Sequence, residues 1–202
     1  MIKKISIIAI ITIVVSALAI VAIAKYQRVV QSAITRGLAE ATDAYPANVE
    51  ADALVPASKA KAAPDFAKGA WINSESLTLA KLRGHVVIVE FWTFGCYNCR
   101  NTLPSVKEWD AKYRDRGLTI VGVHTPETDG EYGLDNVRKE VQALGIKYPV
   151  VTDNDYQTWK AYGVEAWPTI VMLDKQGRVR WVHVGEGRYE ETEGVIKTLL
   201  AE

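Results

Sequence analysis

The chain has 202 residues, with 24 Lys and Arg against 24 Asp and Glu, so it is formally neutral at pH 7. That length suits one domain with extensions, and the charge balance excludes a binder of nucleic acid or another polyanion. Cysteine occurs only at Cys96 and Cys99.

Taken in chain order, residues 5–24 (ISIIAIITIVVSALAIVAIA) carry no charge and follow Lys3 and Lys4. An uncharged apolar stretch of this length predicts a helix that crosses a bilayer. The small residues Ala22 and Ala24 also suit a leader cleavage site, but a leader's apolar region is about 7 to 15 residues, so length favours an uncleaved anchor. Lys25, Arg28 and Arg36 balance Lys3 and Lys4, so the positive-inside rule leaves the orientation open. Residues 25–70 are Ala-rich, with Pro46, Pro56 and Pro64, and lack strand-like runs. They read as a stalk that begins helical, with Val30, Ile34 and Leu38 on one face.

From Trp71 the composition is that of a packed domain spanning residues 71–202. Residues 85–92 (HVVIVEFW) and 118–124 (LTIVGVH) are near-continuous apolar runs, which predict strands buried on both faces of a sheet. Leu103, Val106, Trp109 and Tyr113 recur at helical spacing before Gly117, as do Leu134, Val137, Val141 and Leu144 before Gly145. Residues 169–184 (TIVMLDKQGRVRWVHV) read as a hairpin turning at 174–177, and Val195, Ile196, Leu199 and Leu200 share a final helical face. The alternation predicts an α/β fold.

Cys96 and Cys99 fall where the first central strand gives way to its helix. Free N–H groups and the helix dipole at that point favour an anion, so Cys96 is the candidate nucleophile. Cys99, one turn deeper, can resolve a mixed disulfide formed by Cys96. A zinc site is disfavoured because His85, His124 and His183 supply no pair at ligand spacing, so no metal is expected. A purely structural disulfide would close too short a loop to constrain the unfolded chain much. The dithiol is then the redox centre and calls for no cofactor, but with no third cysteine its electrons must come from, or go to, a separate partner. Glu90 interrupts the apolar strand, where burial of a charge is costly and would raise its pKa; a glutamate at an edge or on a sheet face, reaching solvent, is the plainer reading. Arg100 reads as a solvated helix residue.

The stretch VEFWTFGCYNCRNTLP, with GVHTPE (122–127), YPVVTDND (148–155) and GEGRYEETE (185–193), resembles the thioredoxin-like superfamily, in its TlpA-like and DipZ-like membrane-linked branch. The resemblance covers residues 71–202. It implies a thioredoxin-like fold with a TlpA-type insert around residues 118–147, preceded by one transmembrane helix and facing the extracytoplasmic (periplasmic) side of a bacterial cytoplasmic membrane. It further implies a thiol-disulfide oxidoreductase that reduces disulfide-containing client proteins, apocytochrome c among the candidates, and is recharged by a membrane donor of the CcdA or DsbD type. Carried over by position, Trp92 precedes the active site and Pro104 kinks the helix after it. Pro168 matches the proline that the family holds in cis, with Trp167 offering backbone to a client strand. Trp92, Trp167 and Pro168 are thus the expected substrate-binding residues, and Glu90 matches a buried acid behind the second cysteine, a position from which it would take the Cys99 proton as a catalytic base. Tyr97 and Asn98 replace the Gly-Pro of ordinary thioredoxin, and the histidine of strongly oxidising relatives is missing; the resemblance favours the reducing end. Two other classes stay in view. Thr93 to Cys96 contains the Thr-x-x-Cys of peroxiredoxins, although Val89 stands where their proline is expected, and a non-catalytic client-binding module would have no use for an activated pair.

Overall fold

A computed structural model describes residues 20–32 and 51–202. Residues 20–32 are helical (α1), with Ile20, Val21, Ile23, Tyr26 and Val29 exposed. Among the described residues no helix is long and apolar enough to cross a membrane. The anchor read at residues 5–24 falls outside the described residues except for 20–24.

Six strands form one mixed sheet: β1 (Trp71–Ile72), β2 (Val86–Trp92), β3 (Leu118–His124), β4 (Val150–Thr152), β5 (Thr169–Leu173) and β6 (Val179–Val184), in the order β1-β4-β3-β2-β5-β6. β2 lies centrally, parallel to β3 and antiparallel to β5. Its side chains alternate between two buried layers, as the period of two requires. Val86, Ile88 and Trp92 enter one layer with Cys96, Cys99 and the inward face of α2 (Tyr97–Tyr113). Val87, Val89 and Phe91 enter the other with Leu79, Leu82 and Tyr162. α3 (Leu134–Ala143) and α5 (Tyr189–Ala201) cover the first layer through Val137, Val141, Ile196 and Leu199, and Trp159 of α4 (Gln157–Ala161) packs on the second. The β5–β6 hairpin turns at 174–177, where Asp174 Oδ1 accepts from the N–H groups of Gln176 and Arg178, and Gly177 takes φ 68. That positive φ suits glycine.

The segment expected to be a loose stalk is docked in its second part. Asp52 N–H donates to Val182 O, Val55 N–H to Arg180 O, and Val179 N–H to Lys61 O, so residues 52–62 run along β6. Arg180, 3% exposed, donates from Nε to Val55 O and pairs with Asp174 and Glu202. Bare N–H and C=O groups of an edge strand seek partners, and this segment supplies them. Farther along, the Ala67 and Ala70 N–H groups donate to the hydroxyls of Thr158 and Thr152. The packed body therefore begins ahead of Trp71.

Candidate active site

β2 runs straight toward α2, and the loop between them, residues 93–96, brings the cysteines to the carboxyl end of the central strand. Cys96 is the N-cap of α2, and its sulfur accepts from the N–H of Cys99 at 3.2 Å. A sulfur in that position receives one of the unsatisfied donors of the first turn. Cys96 and Cys99 are joined as a disulfide, with Cα atoms 5.3 Å apart; Cys96 is 9% exposed and Cys99 2%. Tyr97 between them is 76% exposed, so the loop carrying the pair lies at the surface of the domain. Pro104 lies within α2, and Arg100 is exposed, with Nη1 on the Phe94 carbonyl.

Glu90 sits in the middle of the central strand, opposite Gly122 and Ile170, and is 1% exposed, so it is neither at an edge nor in water. Strand alternation puts it between Ile88 and Trp92, on the face that carries the cysteines. Its Oε2 accepts from Tyr148 Oη at 2.8 Å. Burial pushes its pKa up to about 7, against the lowering pull of the Tyr148 hydroxyl. The Tyr148 hydroxyl is itself pushed well above its ordinary value, chiefly by burial and then by Glu90.

The Trp167–Pro168 peptide is cis, as the resemblance implies. Because Phe91 pairs with Thr169, this loop stands beside the carboxyl end of β2, at the same end of the sheet as the cysteines. Trp167 packs against the layer containing them, tilts over Trp159 with centroids 4.3 Å apart, and donates from Nε1 to Thr125 O. Trp92 differs from the expectation of a client contact. It is 2% exposed and edge-on to His124, which places it behind the site. An aromatic ring that closes the apolar layer under the disulfide has no free face to offer.

Sequence reasoning missed a buried polar cluster beside the pair. Thr93 Oγ1 lies 3.2 Å from His124 Nε2, and Phe94 stacks on the His124 ring. Burial holds the His124 pKa down near 4 despite the neighbouring Glu131 charge. Glu131, 1% exposed, accepts from the N–H groups of Gly95 at 2.9 Å, Thr128 at 3.0 Å and Glu127 at 2.5 Å. The readable signal was Thr128-x-x-Glu131, the spacing of a reciprocal capping box, and both of its bonds are present. The Thr93 hydroxyl is fully buried and committed to this cluster.

Comparison with known proteins agrees with this geometry. Residues 60–182 match the model of the AhpC/TSA family. The chain is 38% identical over 169 residues to protein DipZ of Mycobacterium tuberculosis, an alignment covering 81% of this chain and 24% of that protein. It therefore spans about a quarter of the DipZ length. It is 31% identical over 139 residues to the thiol-disulfide oxidoreductase ResA of Bacillus anthracis, covering 69% of this chain and 77% of that one. Among solved structures, a DsbE-type thiol:disulfide interchange protein from Chlorobium tepidum superposes with a TM-score of 0.60 at 30% identity, over 70% of this chain and 97% of the other. With the N-capping Cys96, its partner Cys99 and the cis-proline loop assembled on one sheet end, the chain belongs to the thioredoxin-like AhpC/TSA family and is similar to DipZ and to the thiol-disulfide oxidoreductases of the ResA and DsbE type.

Proposed function

We propose that the protein is a membrane-tethered reductase of extracytoplasmic protein disulfides, apocytochrome c among the candidate clients, recharged by a membrane dithiol donor of the CcdA or DsbD type. The observation that carries the catalytic part is the Cys96 sulfur seated at the N-terminus of α2 and accepting the Cys99 N–H, with Cys99 shielded beneath it. In the reduced protein, Cys96 thiolate attacks one sulfur of a client disulfide and expels the other as thiolate. Glu90, titrating near neutrality, takes the Cys99 proton. The Cys99 thiolate then attacks the Cys96 sulfur of the mixed disulfide, closing Cys96–Cys99 and releasing the second client thiolate. Two electrons pass to the client, and the donor returns them. Trp167 and the Pro168 loop contact the client strand beside the exposed Tyr97. The tether is supported by the uncharged apolar residues 5–24 and by the exposed apolar side chains of α1.

The peroxidase alternative has less support, because the Thr93 hydroxyl that a peroxide would need lies buried against His124. Insulin-disulfide reduction measured beside hydrogen peroxide consumption tests the reading. Rapid reduction of insulin with slow peroxide turnover is expected; the opposite ranking would replace the reductase by a peroxidase.

A further inference from the structure

The Glu131 cluster is absent from the scheme above, although it lies one residue from the attacking sulfur. Its carboxylate reaches from the segment between β3 and β4 into the loop between β2 and α2 and accepts the Gly95 N–H at 2.9 Å. The fit is close: a Cβ on Gly95 would lie 2.2 Å from Glu131 Oε1, so a side chain at position 95 and this carboxylate cannot both occupy their places. Burial pushes the Glu131 carboxyl up, but the N–H groups of Glu127 and Thr128, the Thr93 hydroxyl and the Gly95 N–H together hold it below its ordinary value. It is therefore a carboxylate at neutral pH. With the Thr93 hydroxyl donating to Glu131, its oxygen accepts from His124 Nε2–H, and the buried His124 stays neutral; the Arg100 guanidinium reaches the same loop at the Phe94 carbonyl, 3.4 Å away, from the exposed side, where water screens it. The loop Thr93 to Gly95 is thus pinned from both sides, next to a fixed negative charge.

We propose that Glu131 is a positioning residue of the dithiol, holding the Thr93–Gly95 loop in front of Cys96 and, through its charge, keeping Cys96 from ionising too easily, which poises the pair toward the reducing end. This deepens the reductase reading and rests on Cys96 being the attacking sulfur. A negative charge near a thiolate disfavours it. Destabilising the thiolate destabilises the reduced pair relative to the disulfide, so the dithiol gives up its electrons more readily.

The test is Glu131→Gln in the full chain, read by ultraviolet thiolate absorbance against pH and by equilibrium with glutathione. The glutamine keeps an acceptor for Gly95 N–H and removes the charge. The Cys96 titration should move to lower pH, and the equilibrium constant should shift toward the dithiol by roughly three- to tenfold. Glu131→Asp, which keeps the charge on a shorter stem, should stay within about twofold of the parent in both readings, whatever thermal stability it loses. If neither variant folds, Gly95→Ala pushes the carboxylate away from the loop and should move both readings in the same direction as glutamine. A potential unchanged in Glu131→Gln while its melting temperature falls would reduce Glu131 to a structural brace and overturn the proposal. A parent protein whose pair shows no reversible equilibrium with glutathione would instead sink the reductase reading itself.

Discussion

Glu90 and Tyr148 form the buried pair to which the proposed mechanism assigns proton transfer, and their chemistry sets two expectations. A carboxyl that titrates near 7 in the folded chain and near 4.5 when unfolded holds its proton more tightly in the native state. Its contribution to stability is therefore present at low pH and lost as pH rises from about 4.5 through about 7, by on the order of 3 kcal/mol. His124 slopes the other way, because its depressed pKa costs stability as pH falls from about 6.5 toward about 4. Denaturant unfolding of Glu90→Gln should lack the loss on the alkaline side and keep the loss on the acid side. The same variant should slow resolution of the mixed disulfide roughly a hundredfold at neutral pH. Tyr148→Phe removes the hydrogen bond that lowers the Glu90 pKa, so the pH at which resolution accelerates should move upward from about 7. A pH profile identical to the parent's in stopped-flow quenching would remove Tyr148 and Glu90 from the proton path.

At the scale of elements, β2, β3, α2, the hairpin and α5 were legible in the sequence because each carries an uninterrupted period: continuous apolar runs for the buried strands, helical spacing ahead of Gly117, and an Asp-to-Gly turn. The cysteine pair was legible because a strand-to-helix junction fixes where its sulfurs sit. Three features were not. Residues 52–62 pair with β6 largely through backbone groups, and the Asp52 carboxylate that reaches His183 looks in sequence like any other loop acid. Glu131 looks like one more acid in a polar loop, and its burial comes from long-range contact with Gly95. Trp92 takes its expected client contact from the resemblance alone, although it ends a strand read as buried on both faces, and its ring packs against His124 behind the disulfide. The docked segment makes its own prediction. Arg180→Met breaks the tie to Val55 O and Glu202 while Asp174 keeps Arg178, so it should cost about 2 kcal/mol in urea unfolding. Limited proteolysis should then cut residues 51–62 faster than in the parent. Unchanged cleavage there would mean that the segment is held without Arg180, by its backbone bonds and the Asp52–His183 pair.

For the whole molecule, the proposed tether and the dithiol domain make separate claims. The apolar residues 5–24 predict that the protein remains with membranes after alkaline carbonate washing, and a soluble product beginning near Lys25 would show cleavage instead. The proposed mechanism depends on a division of labour between the two sulfurs, Cys96 at the helix N-terminus and 9% exposed, Cys99 beneath it and 2% exposed. That division is tested most directly by trapping. Cys99→Ser and Cys96→Ser, each mixed with a disulfide-bearing client and resolved on non-reducing gels, should differ sharply: Cys99→Ser should accumulate mixed disulfides that vanish on adding reductant, and Cys96→Ser should yield few. Equal trapping by the two variants, or a preference for Cys96→Ser, would contradict the account.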